Sequence, residues 1–523
     1  MKKTIPILPI LFILLAPVPV YAHAFGQRYD LPIPLSYFMA GAAATVALSF
    51  VVIGIFLKGG SAQFRYPRFN LLSLPGVTLT SRIKSAVAQV LSVLLLLLVL
   101  ATSLFGSDNP LANFSPTFVW IIWWVGMGYI SALFGNLWML INPWKALYEW
   151  TEWLLKSLGA KIPFALSLSK GMNSGLRPYP AGWDAMPALI AFLAFVWLEN
   201  VYPGSIIPRY LGIIIIAYSV YTLGGMLLYG KHVWLRYGDP FAVLFGIFAR
   251  FSPTEVRVVG ANREQRELDR DTGSEDDESQ EDSDCVDCYA RYERAEPSRR
   301  QFNIRPWAAG LVSVGHVSWQ TCAFVILALA AVTFDGLQET TNWLRVQTVG
   351  LRLLGPGGVS VIDTLGVVLI PLLFLGIYLL FCLGIRALSR EQASLTEVAR
   401  AYVFSLVPIA LAYNMAHFLS LLLVQGQLII PLASDPFGFG WDIFGGAGYR
   451  IDPTVISTKF AWIVSVAAIV IGHIVSVYIA HTIAIRRATT HSLALRGQYP
   501  MLALMVFYTA VSLWIIAQPI VAQ

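Results

Sequence analysis

Stretches of about twenty apolar residues, the length that carries a helix across roughly 30 Å of hydrocarbon, recur throughout this chain. They occupy positions 36–57, 85–105, 118–141, 185–202, 207–229, 309–334, 359–385, 401–424, 460–485 and 500–520. In lipid, a segment of this kind must satisfy its backbone within itself, which continuous runs of this length achieve as helices. The sequence therefore predicts an all-α fold, a polytopic transmembrane bundle of ten spans, with 241–251 as a shorter interfacial or re-entrant piece. With 57% hydrophobic and 13% charged residues, the chain is too apolar for a soluble domain. The net charge of +6 does not point to nucleic acid, because the basic residues are scattered among short loops. The lipid bilayer is the expected partner.

Lys2 and Lys3 precede an apolar stretch, 5–16, and a small-residue site at Val20-Tyr21-Ala22. That order reads as a secretory signal peptide over 1–22, with His23 as the first mature residue. An exported N-terminus places the first loop outside, so that every second loop thereafter must be rich in Lys and Arg. The charges fit: Lys58, Arg65, Arg68, Arg82 and Lys84, then Lys145, Lys156, Lys161, Lys170 and Arg177, then Arg386, Arg390 and Arg400, then Arg486, Arg487 and Arg496. The expected organisation is a membrane domain with spans 1 to 5 over 23–249, a cytoplasmic acidic loop over 250–306, and spans 6 to 10 over 307–523. The localisation is a bacterial inner membrane. Nine acidic residues and no basic one fall between Asp271 and Asp287, a composition that predicts disorder.

Ionisable groups inside a bilayer are costly and mark partners or cavities. Of seven histidines, four fall in expected spans: His316, His417, His473 and His481. Counting at 1.5 Å per residue from Arg400 and Arg486 puts His417 about 25 Å and His473 about 20 Å from the inner face, so both fit one layer. Tyr413 and Asn414 share the helix face of His417. Tyr413, Asn414, His417 and His473 thus form a candidate catalytic cluster, and His417, His473, His316 and His481 are the candidate ligands of a divalent metal. Interhelical hydrogen bonding accounts for the same residues without any chemistry. A second candidate layer is an outer acidic rim of Glu199, Asp335, Asp363, Asp435 and Asp442. Cys285 and Cys288 have the spacing of half a zinc site or a redox pair, with free thiols expected on the cytoplasmic side. A cleaved N-terminus would give His23 a free amine and an imidazole able to chelate copper.

Several segments together resemble a family of polytopic bacterial proteins often labelled fenitrothion hydrolase: Ala22-His-Ala-Phe-Gly-Gln-Arg-Tyr-Asp-Leu-Pro-Ile-Pro34, 131–144, 408–423 with Ala416-His417, Gly440-Trp-Asp-Ile-Phe444, and 472–481. The resemblance covers nearly the whole membrane part, and of the acidic loop only 285–296. It implies hydrolysis of an organophosphate triester, water attacking phosphorus as a nitrophenolate leaves. It carries no catalytic motif, so no role passes residue by residue. Such chemistry generally uses metal-activated water, for which the histidine cluster is the candidate. Two other classes fit ten spans with polar groups at depth: a transporter or permease, and a metal- or haem-handling membrane subunit.

Overall fold

The computed structural model describes residues 30–56, 66–74, 82–159, 175–259, 285–312 and 317–520. The signal peptide, His23, His316 and 271–284 of the acidic block lie outside the described residues. The principal helices are α1 (Leu35–Phe56), α2 (Arg82–Phe105), α3 (Phe114–Phe134), α4 (Pro143–Gly159), α5 (Met186–Asn200), α6 (Pro208–Tyr229) and α7 (Pro240–Ala249). They continue as α8 (Trp319–Gln338), α9 (Thr341–Leu354), α10 (Gly358–Ser389), α11 (Val407–Val424), α12 (Thr458–Arg487) and α13 (His491–Ile520). The fold is an all-α polytopic bundle, and nine helices among the described residues are long and apolar enough to cross a membrane.

Two expectations are corrected. The fourth span, expected over 185–202, is the 15-residue α5, about 22 Å long and short of the full hydrocarbon thickness. The loop expected after the sixth span contains α9, an amphipathic helix that packs along α10. Its apolar side chains Leu344, Val349 and Leu353 are exposed, and its indole Trp343 and amide Gln347 both donate to the buried Asp363. Helix starts follow local chemistry: Ser318, Thr340, Ser457 and Asp239 accept hydrogen bonds from the first-turn amides of α8, α9, α12 and α7.

The helices form two groups. α2, α3, α4 and α6 pack together on one side, and α1, α10, α12 and α13 on the other. Between them stand α5, α7, α8 and α11, with α8 buried along most of its length. Small residues let the helices approach: a Cβ on Gly472 of α12 would stand 2.4 Å from Ala412 Cβ and 2.8 Å from Pro408 O of α11. One end of the bundle carries Lys145, Arg386 and Arg486, the other Glu199, Asp335 and Asp363.

At the basic end, both described flanks of the supposed disordered loop are folded. β1 (Phe69–Asn70), β2 (Thr254–Val258), β3 (Cys285–Val286) and β4 (Arg300–Ile304) make an antiparallel sheet of order β1-β4-β2-β3. Its interior is an ionic network. Arg305 Nη1 donates to Asp287 Oδ2 at 2.8 Å and Glu255 Oε2 at 3.4 Å, while Glu255 also accepts from Tyr66 Oη, Arg68 Nε and Asn303 Nδ2 at 2.6, 2.7 and 2.9 Å. Burial pushes the Asp287 carboxyl above its ordinary range, against the pull of Arg305. The buried Lys145 of α4 pairs with Glu293 and fastens this small unit to the bundle. Cys288 is disulfide-bonded, against the expectation of a free thiol, whereas Cys322 and Cys382 are free and buried.

Candidate functional site

Three of the helices between the two groups bring ionisable side chains to one place near the acidic end. Asp335 stands in the last turn of α8, and His417 Nε2–H donates to its Oδ2 at 2.9 Å. The His417 side chain is 6% exposed and that of Asp335 24%, so the pair is largely withdrawn from the surroundings. Glu199, near the end of α5, accepts from Trp124 Nε1 at 2.6 Å. Glu199, Asp335, Trp124 and Asn414 line a cavity of about 20 Å³, closed by Phe192 and Phe418. That volume holds about one water molecule. Asn414, also buried, completes the polar lining of this cavity.

Two local features shape the site. Residue 336 is glycine because a Cβ there would stand 2.5 Å from Tyr413 Oη and 3.5 Å from His417 Nδ1, so α8 and α11 touch through backbone and polar rings. Within α3, Phe118–Val125 is wound as a π-helix, a departure that concentrates at functional sites. Its Trp124 faces Glu199, while Trp120 and Trp123 line a second cavity of about 840 Å³ bounded by α2, α3, α5 and α6. That cavity is walled by apolar and aromatic side chains, among them Phe195 and Phe241. The same two rings pack against Trp124 with centroids 4.6 and 6.1 Å away, so one aromatic wall separates the apolar cavity from the carboxylates.

The three described histidines of the expected cluster each have a different partner. His417 meets a carboxylate. His473 Nδ1–H donates to Ile469 O at 2.8 Å, and its ring lies 5.9 Å from that of Tyr508. His481, fully buried, donates from Nδ1 to Gln498 Oε1 at 2.9 Å. Among the described residues, no group of three or more His, Cys, Asp or Glu side chains is arranged to hold a metal ion. Tyr413 and Asn414 do stay with His417 on α11. The acidic rim divides: Glu199 and Asp335 join the site, Asp363 anchors α9, and Asp435 and Asp442 accept from loop amides of Phe439, Gly440 and Ala447. Sequence reasoning missed Trp124 altogether. It also put Glu199 and Asp335 in a different layer from His417, although Asp335 and Glu199 each lie within a turn of a helix end. No family model, no curated protein and no solved structure matches the chain.

Proposed function

We propose that the protein is a proton-coupled transporter of a lipophilic solute, with Glu199, Asp335 and His417 as the proton-exchanging groups. The observation that carries this reading is the convergence of three ionisable side chains, each partly withdrawn from the surface, from three helices between two helix groups, beside the buried Asn414. Intramembrane groups of this kind are costly and mark ion or proton pathways. The π segment of α3 presents Trp124 to them, an irregular winding of the kind frequent at functional sites. The 840 Å³ apolar cavity has the volume and lining that suit a lipophilic molecule. Trp124 links the two, since displacement of Trp120 or Trp123 by a solute shifts the indole that holds Glu199. The basic end, by the excess of Lys and Arg, faces the cytoplasm of a bacterial inner membrane.

The test is uptake of a fluorescent apolar aromatic probe into vesicles containing the protein, under an imposed pH gradient. Asp335→Asn is expected to reduce gradient-driven uptake at least tenfold, and uptake at the unaltered rate removes the reading. A second reading, hydrolysis of a lipophilic phosphotriester, is favoured by one feature: the imidazole of His417 is oriented by Asp335, as the imidazole of a general base is. It is also what the resemblance to fenitrothion hydrolase implies. The same vesicles then release nitrophenolate from such an ester and lose this on His417→Gln, whereas transport returns the solute unchanged.

A further inference from the structure

The shape of the 840 Å³ cavity selects among lipophilic molecules. α5 packs on α7, α8 and α10, whereas α6 packs on α2 and α4, so these two consecutive helices leave a slot between them. The slot is tied at both ends. Trp120 Nε1 donates to Ser205 O at 3.0 Å in the turn that joins the helices, and at the basic end Tyr221 Oη of α6 lies 3.0 Å from Pro187 O in the first turn of α5. Between the ties, Met186, Ile190 and Ala194 line the cavity and are exposed on the flank of the bundle, spaced by four along one helix face. In a membrane bundle that flank meets lipid tails, so the cavity opens sideways to hydrocarbon. Its lining along α5 runs from Met186 to Leu198, about 18 Å of helix, and one leaflet of a 30 Å hydrocarbon core is roughly 15 Å deep. Inside, the hydroxyls of Ser92 and Tyr218 and the indole of Trp144 donate to Gln89 O, Asp239 Oδ2 and Ser219 Oγ, which leaves a wall suited to a tail and not to a polar head.

The rim at the basic end has the opposite character. Trp183 lines the cavity and meets the ring of Tyr179 at 6.2 Å; Tyr179 stacks on Tyr237 at 5.7 Å, and the Arg236 guanidinium lies 5.0 Å over the Tyr237 ring. Arg177, two residues before Tyr179, is fixed by its backbone N–H, which donates to Leu228 O of α6 at 2.8 Å. Both arginine side chains are exposed, and among the described residues neither has an acidic partner, whereas Lys231 in the same short helix as Arg236 pairs with Glu149. Aromatic rings gathered with basic side chains mark the headgroup level of a bilayer, where such cations bind lipid phosphate. We infer that the cavity binds an acyl chain of an anionic phospholipid, which enters sideways between α5 and α6 from the leaflet at the basic end, with its phosphate held by Arg177 and Arg236. The far end of the chain then lies at Phe195 and Leu198, against the aromatic wall that Trp124 shares with Glu199. The inference rests on the reading that this cavity receives the transported solute, and it names the class of that solute.

The test uses the full chain in phosphatidylcholine bilayer discs that carry a small share of phosphatidylglycerol with a photoreactive diazirine on one tail. Illumination is expected to label the cavity stretches 190–198 and 211–218 at least fivefold more than Leu94 and Leu97, which are exposed on α2 outside the cavity. The same diazirine on phosphatidylcholine is expected to label the cavity at least fivefold less, and the double variant Arg177→Gln, Arg236→Gln to erase that difference. Ala191→Phe, which fills the cavity, is expected to lower labelling from both lipids, and inorganic phosphate, which has no tail, to give no protection. Labelling of Leu94 as strong as that of the cavity, or equal labelling by the two lipids, overturns the inference. Protection by inorganic phosphate assigns the arginines to a free anion and overturns it as well. If gradient-driven uptake of the aromatic probe proceeds without cavity labelling, the lipid site falls and transport stands. If labelling is as expected and no uptake occurs, transport falls and the lipid site stands.

Discussion

His232, in the short helix Lys231–Tyr237 at the basic end, illustrates how burial sets the state of one residue. Burial first, then the cations Lys231, Arg294 and Lys145, push its imidazole down to about 3. The fold thus accepts only the neutral ring. For a base lowered in this way, the contribution to stability is complete above its unfolded value near 6.5 and is lost as pH falls from there towards 3. Melting between pH 7 and pH 4 is expected to show this loss, and His232→Gln to remove that part of it. A His232→Gln variant with the same acid sensitivity as the parent contradicts the assignment. Residue type alone did not separate His232 from His417, which the fold provides with Asp335. Burial and neighbours made one a neutral ring among cations and gave the other a carboxylate to hydrogen-bond.

At the scale of elements, the contact between α11 and α12 is the most closely fitted. Gly472→Ala places a methyl 2.4 Å from Ala412 Cβ and 2.8 Å from a backbone oxygen, neither of which can swing away. The helices must separate, at roughly 1–3 kcal/mol for an overpacked contact. Gly376→Ala on α10, with nothing within 4 Å of its new methyl, is the matched control and is expected to melt with the parent. Equal Tm values for the two variants contradict the account. The apolar runs announced the long helices because lipid demands about twenty such residues whatever their neighbours. α5 was overread: the apolar pattern of 185–202 does not reveal that the helix stops at Asn200 and turns through Pro203–Ile206. α9 was underread because its polar residues, Gln347 among them, resemble a loop until Asp363 is seen to receive them.

Across the whole molecule, the small sheet at the basic end depends on one side chain. Arg305 is 2% exposed and lies between Glu255 and Asp287, and it also donates to the backbone of Ser252. Arg305→Met leaves the Asp287 carboxyl without its ion-pair partner and Glu255 with Arg68 alone, and breaking a buried pair in this way costs roughly 3–5 kcal/mol. Limited proteolysis is expected to cut the flanks of the sheet much faster in this variant, while the helical content of the bundle holds. Unchanged cleavage would show that the network does not hold the sheet.

The amino-acid order alone determined that this is a membrane-embedded helical bundle, where most of its helices run and that His417 stands in a membrane-spanning helix with Tyr413 and Asn414 beside it. These follow from length and periodicity, which act within one segment. Only the tertiary structure decided that His417 meets Asp335 rather than His473, that Trp124 holds Glu199, and that β1, lying before the second span, pairs with β4 some 230 residues later. Each of these joins segments far apart in the chain, and their meeting depends on which helices pack side by side and how each is rotated, which no single stretch of sequence encodes.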